Sequence, residues 1–328
     1  PDQRIGVDPV VGVLLMPAKS LLSRLLERAG LVGRQKEPGG QRRSAGSSKA
    51  TARPVHAEAN FRLEPNEPRL LLSADPTAGL GAGAALNVQL TDVDDHLVIR
   101  QVGTAADGGV VVDLRIGDAP TQRLGDAQHG VRSVAINAAG GNDTIDLGAF
   151  DVSVAVDGGA GHDTLVGPSL AQVGWAITGA DSGAVAGAQF SAVEQLQGAA
   201  GNQDTFTFGS AGRLSGGLDG GQGGYDTLVL PGGTGATDYV ATGPGAGRVT
   251  ADGTTTTFSG LEPVSVGSTA GGDVRITLDD QANDATLSYD ANSGRLALVS
   301  NIDPSVTGGF ETFIFSAPVG HALTIDLG

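Results

Sequence analysis

From residue 86 onward, apolar and polar positions alternate in short runs: LNVQL, HLVIR, GVVVDLRI, VRSVAIN. The runs are rich in Val, Ile and Leu, and clusters of Gly, Asp and Asn part them at short intervals. A period of two places every second side chain on one face of a strand, so this stretch predicts strands with a buried face. No helix-length segment with a 3.6-residue period follows. Upstream the pattern differs. Leu21, Leu22, Leu25, Leu26 and Leu31 recur at helical spacing with Arg24 and Arg28 opposite. That predicts one short amphipathic helix near 17–30, ended by Gly30 or Gly33. Such a helix packs on a partner, frays, or acts as a membrane-surface or export element. Residues 34–60 are Gly/Ser/Arg-rich without periodicity and read as disordered linker. The chain therefore divides into a basic leader over 1–60, a short motif region over 61–76, and a β body over 77–328.

Charge follows the same division. Residues 1–72 sum to +5, and residues 73–328 to −21, giving the net −16 of the 328-residue chain. A body this acidic repels nucleic acid and anionic membranes, whose binding needs Lys and Arg. Binding of cations would relieve its self-repulsion. Cys is absent, which excludes disulfides, thiolate metal sites and a Cys nucleophile. The apolar run Val10–Met16 is too short to span a bilayer. It also lacks a small-residue cleavage site, so neither a transmembrane segment nor a signal peptide is expected. The last residues, LTIDLG, lie inside a strand-like run, so the reading expects an N-terminal part of a longer protein, truncated at its C-terminal end.

The 53 glycines are not spread evenly in kind. Residues 158–166 read GGAGHDTLV, which fills every defined position of G-G-x-G-x-D-x-U-x, where U is a large apolar residue. Partial copies read AAGGNDTID at 138–146, GAAGNQDTF at 198–206 and GGQGGYDTL at 220–228. The last two carry an extra residue before the Asp. The Asp positions are Asp143, Asp163, Asp204 and Asp226. The first and last intervals are nearly equal, and the middle one is close to twice as long. With one step per coil, the prediction is a parallel β-solenoid of about 20 residues per coil, its four Asp stacked in one column. Gly lets backbone carbonyls turn toward a shared site, and Asp supplies a hard anionic oxygen. Ca2+ takes about six to eight oxygens, so two adjacent loops would share an ion. The candidate metal residues are Gly140, Gly141 and Asp143; Gly158, Gly159, Gly161 and Asp163; Gly201 and Asp204; and Gly220, Gly221, Gly223 and Asp226. The plainer reading of the same clusters is turn formation.

A longer repeat overlies the loops. Trp175–Gly179 (WAITG) returns as Tyr239–Gly243 (YVATG), and Phe190–Glu194 (FSAVE) as Phe258–Glu262 (FSGLE). The interval from Trp175 to Tyr239 suggests a repeat unit of three coils. Phe would fill the core and Glu would cap a turn. Phe310–Glu311 is a remnant of a third copy.

The loops at 138–146 and 158–166 resemble the RTX repeats of secreted bacterial proteins. The segment NEPRLLLSADP at 66–76 is similar to the LEPR-XLL motif near the N-terminus of long repetitive bacterial surface proteins, matched at Glu67, Pro68, Arg69, Leu71 and Leu72. Asn66 stands where that motif has Leu. The resemblances imply a calcium-ordered passenger behind a sorting or export tag. They imply export without a signal peptide to the outside or surface of a bacterium. The partners implied are calcium, export machinery, and a polysaccharide or another cell's surface.

The five His show no H-x-x-x-H or H-E-x-x-H spacing, and no G-x-S-x-G elbow occurs. Asp92, Asp94 and Asp95 beside His96 read as a polar turn or a small metal site. Arg213 with Asp219 reads as a surface ion pair. The expectation is a non-catalytic, adhesin-like protein. The alternative is the non-catalytic repeat region of an extracellular carbohydrate-active enzyme of lyase or epimerase type.

Overall fold

The computed structural model describes residues 75–268, 271–279, 284–302 and 309–327. The leader, the 17–30 helix and the motif residues Glu67, Pro68, Arg69, Leu71 and Leu72 lie outside them. Among the described residues the fold is all-β. Twenty-five strands form one 13-stranded and one 12-stranded sheet, and the only helical piece is a 3-10 turn at Ala82–Ala84.

Alternation in sequence becomes alternation of burial. Ser133–Asn137 buries Val134 and Ile136 and turns Ala135 and Asn137 outward. Ser153–Asp157 repeats the pattern one step on and pairs with it in parallel, Ser133 beside Ser153 through Asn137 beside Asp157. The second sheet makes the same step with Thr144 beside Thr164 and Ile145 beside Leu165. Like residue types thus stack on one another, keeping the apolar row inside. The chain alternates between the sheets: a strand in the first, a glycine-rich corner, a strand in the second, and back.

Four antiparallel excursions interrupt this parallel order, and alternation alone does not reveal them. They run over 96–124 and 237–259 in the second sheet, and over 172–191 and 285–316 in the first. In 172–191 the last strand pairs with the preceding strand of the sheet, Gln189 beside Ala155, while the first pairs with the following one, Gln172 beside Gln203. Two extra strands are thereby spliced into the sheet. The echoed segments WAITG and YVATG open two of these excursions, each with a bulge, at Ile177/Gly179 and at Ala241/Gly243. They lie in opposite sheets, because five sheet-to-sheet crossings separate them.

One apolar cluster links both sheets. Trp175 stacks on Phe206 at 5.2 Å and meets Phe190 edge-on at 6.5 Å. Tyr239 of the second sheet stacks on Phe313 of the first at 4.4 Å. A chain with few aromatics concentrates them at the two excursions, where offset rings contribute beyond their buried area. Phe190 and Phe258, the Phe of each FSxxE echo, are both buried there.

Candidate functional site

The corners carry the chemistry. Those leading from the first sheet into the second contain 138–143 and 158–163. They stack by backbone hydrogen bonds: Gly141 N–H donates to Ala160 O at 3.0 Å, Ala160 N–H to Ala139 O at 3.0 Å, and Thr164 N–H to Asp143 O at 2.8 Å. Gly140 and Ala160 form a bridge. Stacking this close explains the glycines without reference to any ligand. A β-carbon on Gly161, whose φ is 142°, would fall 1.7 Å from Gly141 O. One on Gly158 would fall 1.9 Å from Ala192 O, and one on Gly159 2.3 Å from Ala139 O. These positions take Gly because carbonyls of the adjacent corners occupy the space.

The Asp side chains turn inward. Asp143 N–H donates to Asp163 Oδ1 at 2.8 Å, and Asp95 N–H donates to Asp143 Oδ1 at 2.7 Å. Asp163 N–H in turn donates to Glu194 Oε2 at 2.8 Å. Each carboxylate therefore caps a backbone N–H of the corner before it. Asp95 ends the ladder by accepting from Thr91 N at 2.9 Å and Thr91 Oγ1 at 2.7 Å. An outer rail runs beside it: His162 N–H donates to Asn142 Oδ1 at 2.9 Å, and Asn142 N–H to Asp94 Oδ1 at 2.7 Å. Asp94 and Asp95 are thus ladder members of a turn, while His96 begins the next strand, exposed.

Asp204 and Asp226 do not continue this column. Their loops lead from the second sheet back to the first, so they form a second ladder. Asp204 N–H donates to Asp226 Oδ1 at 2.7 Å. Asn202 bridges to Gly224, and Gly201 N–H donates to the carbonyls of Gln222 and Gly223, both at 3.1 Å. Gly220 and Gly221 again face carbonyls of neighbouring corners, whereas Gly201 and Gly223 have positive φ and open space. The expected single stack fails because the long interval from Asp163 to Asp204 holds an excursion and an odd number of crossings.

Asp143, Asp163, Asp204 and Asp226 are all buried, each 3% exposed or less. No Arg pairs with them; the Arg ion pairs among the described residues are Arg100–Asp146, Arg123–Asp113 and Arg132–Asp107. Arg213 and Asp219 form none of these. Burial pushes the carboxyls of Asp143 and Asp226 up to about 6, aided by neighbouring carboxylates. It raises Asp163 and Asp204 in the same direction. The second oxygens of Asp143 and Asp163 have no hydrogen-bond partner, whereas the Asp204 carboxyl is flanked by the Asn202 amide and the Ala199 N–H. A buried carboxylate in this state needs a proton or a cation.

No protein-family model, curated protein or solved structure matches this chain.

Among the described residues no three His, Asp or Glu side chains gather as a metal cluster; the free oxygens of Asp143 and Asp163 supply hard anionic donors, of the kind a divalent cation takes, but only part of the about six to eight oxygens of a calcium shell. Sequence reasoning did not join Asp95, Glu194 or Asn202 to the ladders. Asp95 hides because an excursion puts it 48 positions before Asp143. Glu194 was in view in the FSAVE echo, whose capping role is the bond to Asp163.

Trp175 anchors the second ladder, its indole N–H donating to Asp204 Oδ1 at 2.8 Å. Trp175→Phe is expected to lose about 3 kcal/mol, from the shrunken ring and from the unpaired oxygen left on Asp204. Chemical denaturation checks this. A loss no larger than an exposed substitution gives would refute the anchoring role.

Proposed function

We propose that the body is a parallel β-solenoid belonging to an exported, non-catalytic, adhesin-like protein, and that its corners take up Ca2+ to lock the coils. The observation that carries this reading is the pair of buried, unpartnered carboxylate oxygens on Asp143 and Asp163 with no Arg paired to them. The regular alternation between two sheets supports the solenoid, as do the parallel one-coil steps from Ser133 to Ser153, Thr144 to Thr164, Leu196 to Leu218 and Phe206 to Leu228. The resemblance of the 138–146 and 158–166 loops to RTX repeats supports export and calcium. Asp143 with Asp163, and Asp204 with Asp226 and Asn202, would hold the ions, the glycines admitting the close corner approach. When bound, calcium supplies the positive charge that these corners lack. Where calcium is scarce, the charged corners repel and coil docking is weak. Outside the cell, calcium removes that repulsion, so metal binding becomes folding free energy.

The test is calcium titration of the whole chain from chelator upward, followed by thermal melting, with magnesium as control. Melting is expected to rise with calcium at pH 7. The rise should shrink below about pH 6, where protons hold Asp143 and Asp226. Asp163→Asn should blunt it, because Asn keeps the acceptor for Asp143 N–H but carries no charge. Melting indifferent to calcium across the titration would leave the ladders as purely structural caps.

A further inference from the structure

The outer face of the first sheet carries a row of side chains that neither ladder uses. Gln172 lies beside Gln203 in parallel register. Asn202 bridges to Gly224 in parallel, and Thr205 lies beside Thr227, so Gln203 and Tyr225 share one register position as well. The three residues therefore stand in line, about 5 Å apart at each strand-to-strand step. All three are exposed, Tyr225 by 55%. Alternation puts them there: the residues that follow them, Val173, Asp204 and Asp226, are buried.

Gln172, Gln203 and Tyr225 line one open cleft, together with Gly201, Asn202 and Gly224. The cleft carries no charged side chain, although the body around it is strongly acidic. Gln172 Nε2 donates to Gln203 Oε1 at 3.1 Å. That bond sets the two amides against each other and leaves the Gln172 carbonyl and the Gln203 NH2 group for a ligand. A second cleft continues from the same two glutamines past Gly174 and Thr205. Nothing lies within 4 Å of where a β-carbon on Gly174 would stand, so the face is open there too. The tyrosine is presented on closely packed backbone. Its N–H donates to Asn202 O at 3.3 Å, and a β-carbon on the preceding Gly224 would fall 2.1 Å from that same oxygen.

A pyranose ring has the complementary surface. One face is made of C–H groups, which pack on an aromatic ring, and its rim of hydroxyls both donates and accepts, as an amide does. A polyanion finds no Lys or Arg in the cleft, and a cation finds no carboxylate. An apolar ligand finds a single large ring among amides and glycines, too little to bury it. We propose that Gln172, Gln203 and Tyr225 form a binding site for a neutral saccharide, the ring of Tyr225 taking the sugar face and the glutamine amides its hydroxyls. The row is about 10 Å long, which suits a short stretch of a sugar chain better than a single ring. The site gives the adhesin-like reading a ligand class and rests on that reading for its purpose, but it uses none of the corner carboxylates.

Native electrophoresis of the full chain through gels cast with soluble polysaccharide tests it, in chelator and again with calcium, each against a gel without polymer. Galactomannan, xyloglucan, hydroxyethylcellulose and dextran are the neutral probes, and carboxymethylcellulose is the anionic one. Retardation by at least one neutral polymer is expected, and none by carboxymethylcellulose. Tyr225→Ala should raise the apparent Kd about tenfold or more, while Tyr225→Phe, which keeps the ring face, should stay within about threefold. Gln203→Ala should weaken binding in the same assay, an independent check on the amide half of the site. Tyr289→Ala truncates a tyrosine that is still more exposed, 62%, on another strand and should change nothing. Passage unhindered by every neutral polymer would overturn the site. So would retardation that survives Tyr225→Ala, that falls equally in Tyr289→Ala, or that carboxymethylcellulose matches. Retardation in either buffer supports the cleft whatever melting does with calcium, so calcium-indifferent melting would sink the metal reading alone.

Discussion

Gly161→Ala is expected to destabilise the body by roughly 3 kcal/mol or more, the largest loss of any single methyl addition in the corners. Two effects add: positive-φ strain of about 1–3 kcal/mol and an overpacking cost of about 1–3 kcal/mol. The second arises because the new β-carbon would meet Gly141 O at 1.7 Å, and a stacked backbone carbonyl has nowhere to yield. Gly223→Ala isolates the first effect. Gly223 also has positive φ, 67°, but nothing lies within 4 Å of its added carbon. Urea denaturation midpoints of the two variants give the comparison. Equal losses would mean that the corners do not stack as closely as the hydrogen bonds from Gly141 and Ala160 indicate.

Asp163→Ala should cost about 1–3 kcal/mol in chelator, because it strands the buried N–H of Asp143. Asp163→Asn should cost little or stabilise, since it keeps the cap and removes a buried charge. The pH dependence separates charge from cap further. Asp143 and Asp226 rise from 3.8 to about 6 in the folded state, so between these limits the native protein binds more protons than the unfolded chain. Wild-type stability in chelator should therefore fall as pH rises from 4 to 6, and Asp143→Asn should flatten part of that slope. Stability that instead climbs with pH over this range would show the corner carboxylates to be paired with a cation the geometry does not supply.

The β class and the inward rows were legible from alternation. Val134, Ile136, Val154 and Val156 alternate with outward residues and are buried as that pattern requires. The adjacency of the corners at Asp143 and Asp163 was legible too, because no excursion intervenes there. The step from Asp163 to Asp204 was not. An antiparallel excursion shares the two-residue period of a coil strand, so nothing local distinguishes Gln172–Gly179 from a strand that continues the parallel stack. Its presence reassigns every later corner to the opposite junction. The role of Glu194 was legible in kind, as a cap, but not its partner, since the N–H it receives belongs to a residue 31 positions away.

What the sequence determined by itself is local: period-two burial, the corners where Gly and Asp gather, and the acidic character of the body. These depend on each residue's own geometry and charge, which neighbours in sequence suffice to set. The tertiary structure alone decided which carboxylate reaches which N–H, that the Asp form two ladders instead of one, and that oxygens of Asp143 and Asp163 are left unpaired. Those facts depend on how many strands are spliced between one crossing and the next, and that count is set by pairing across the sheet, between residues far apart along the chain.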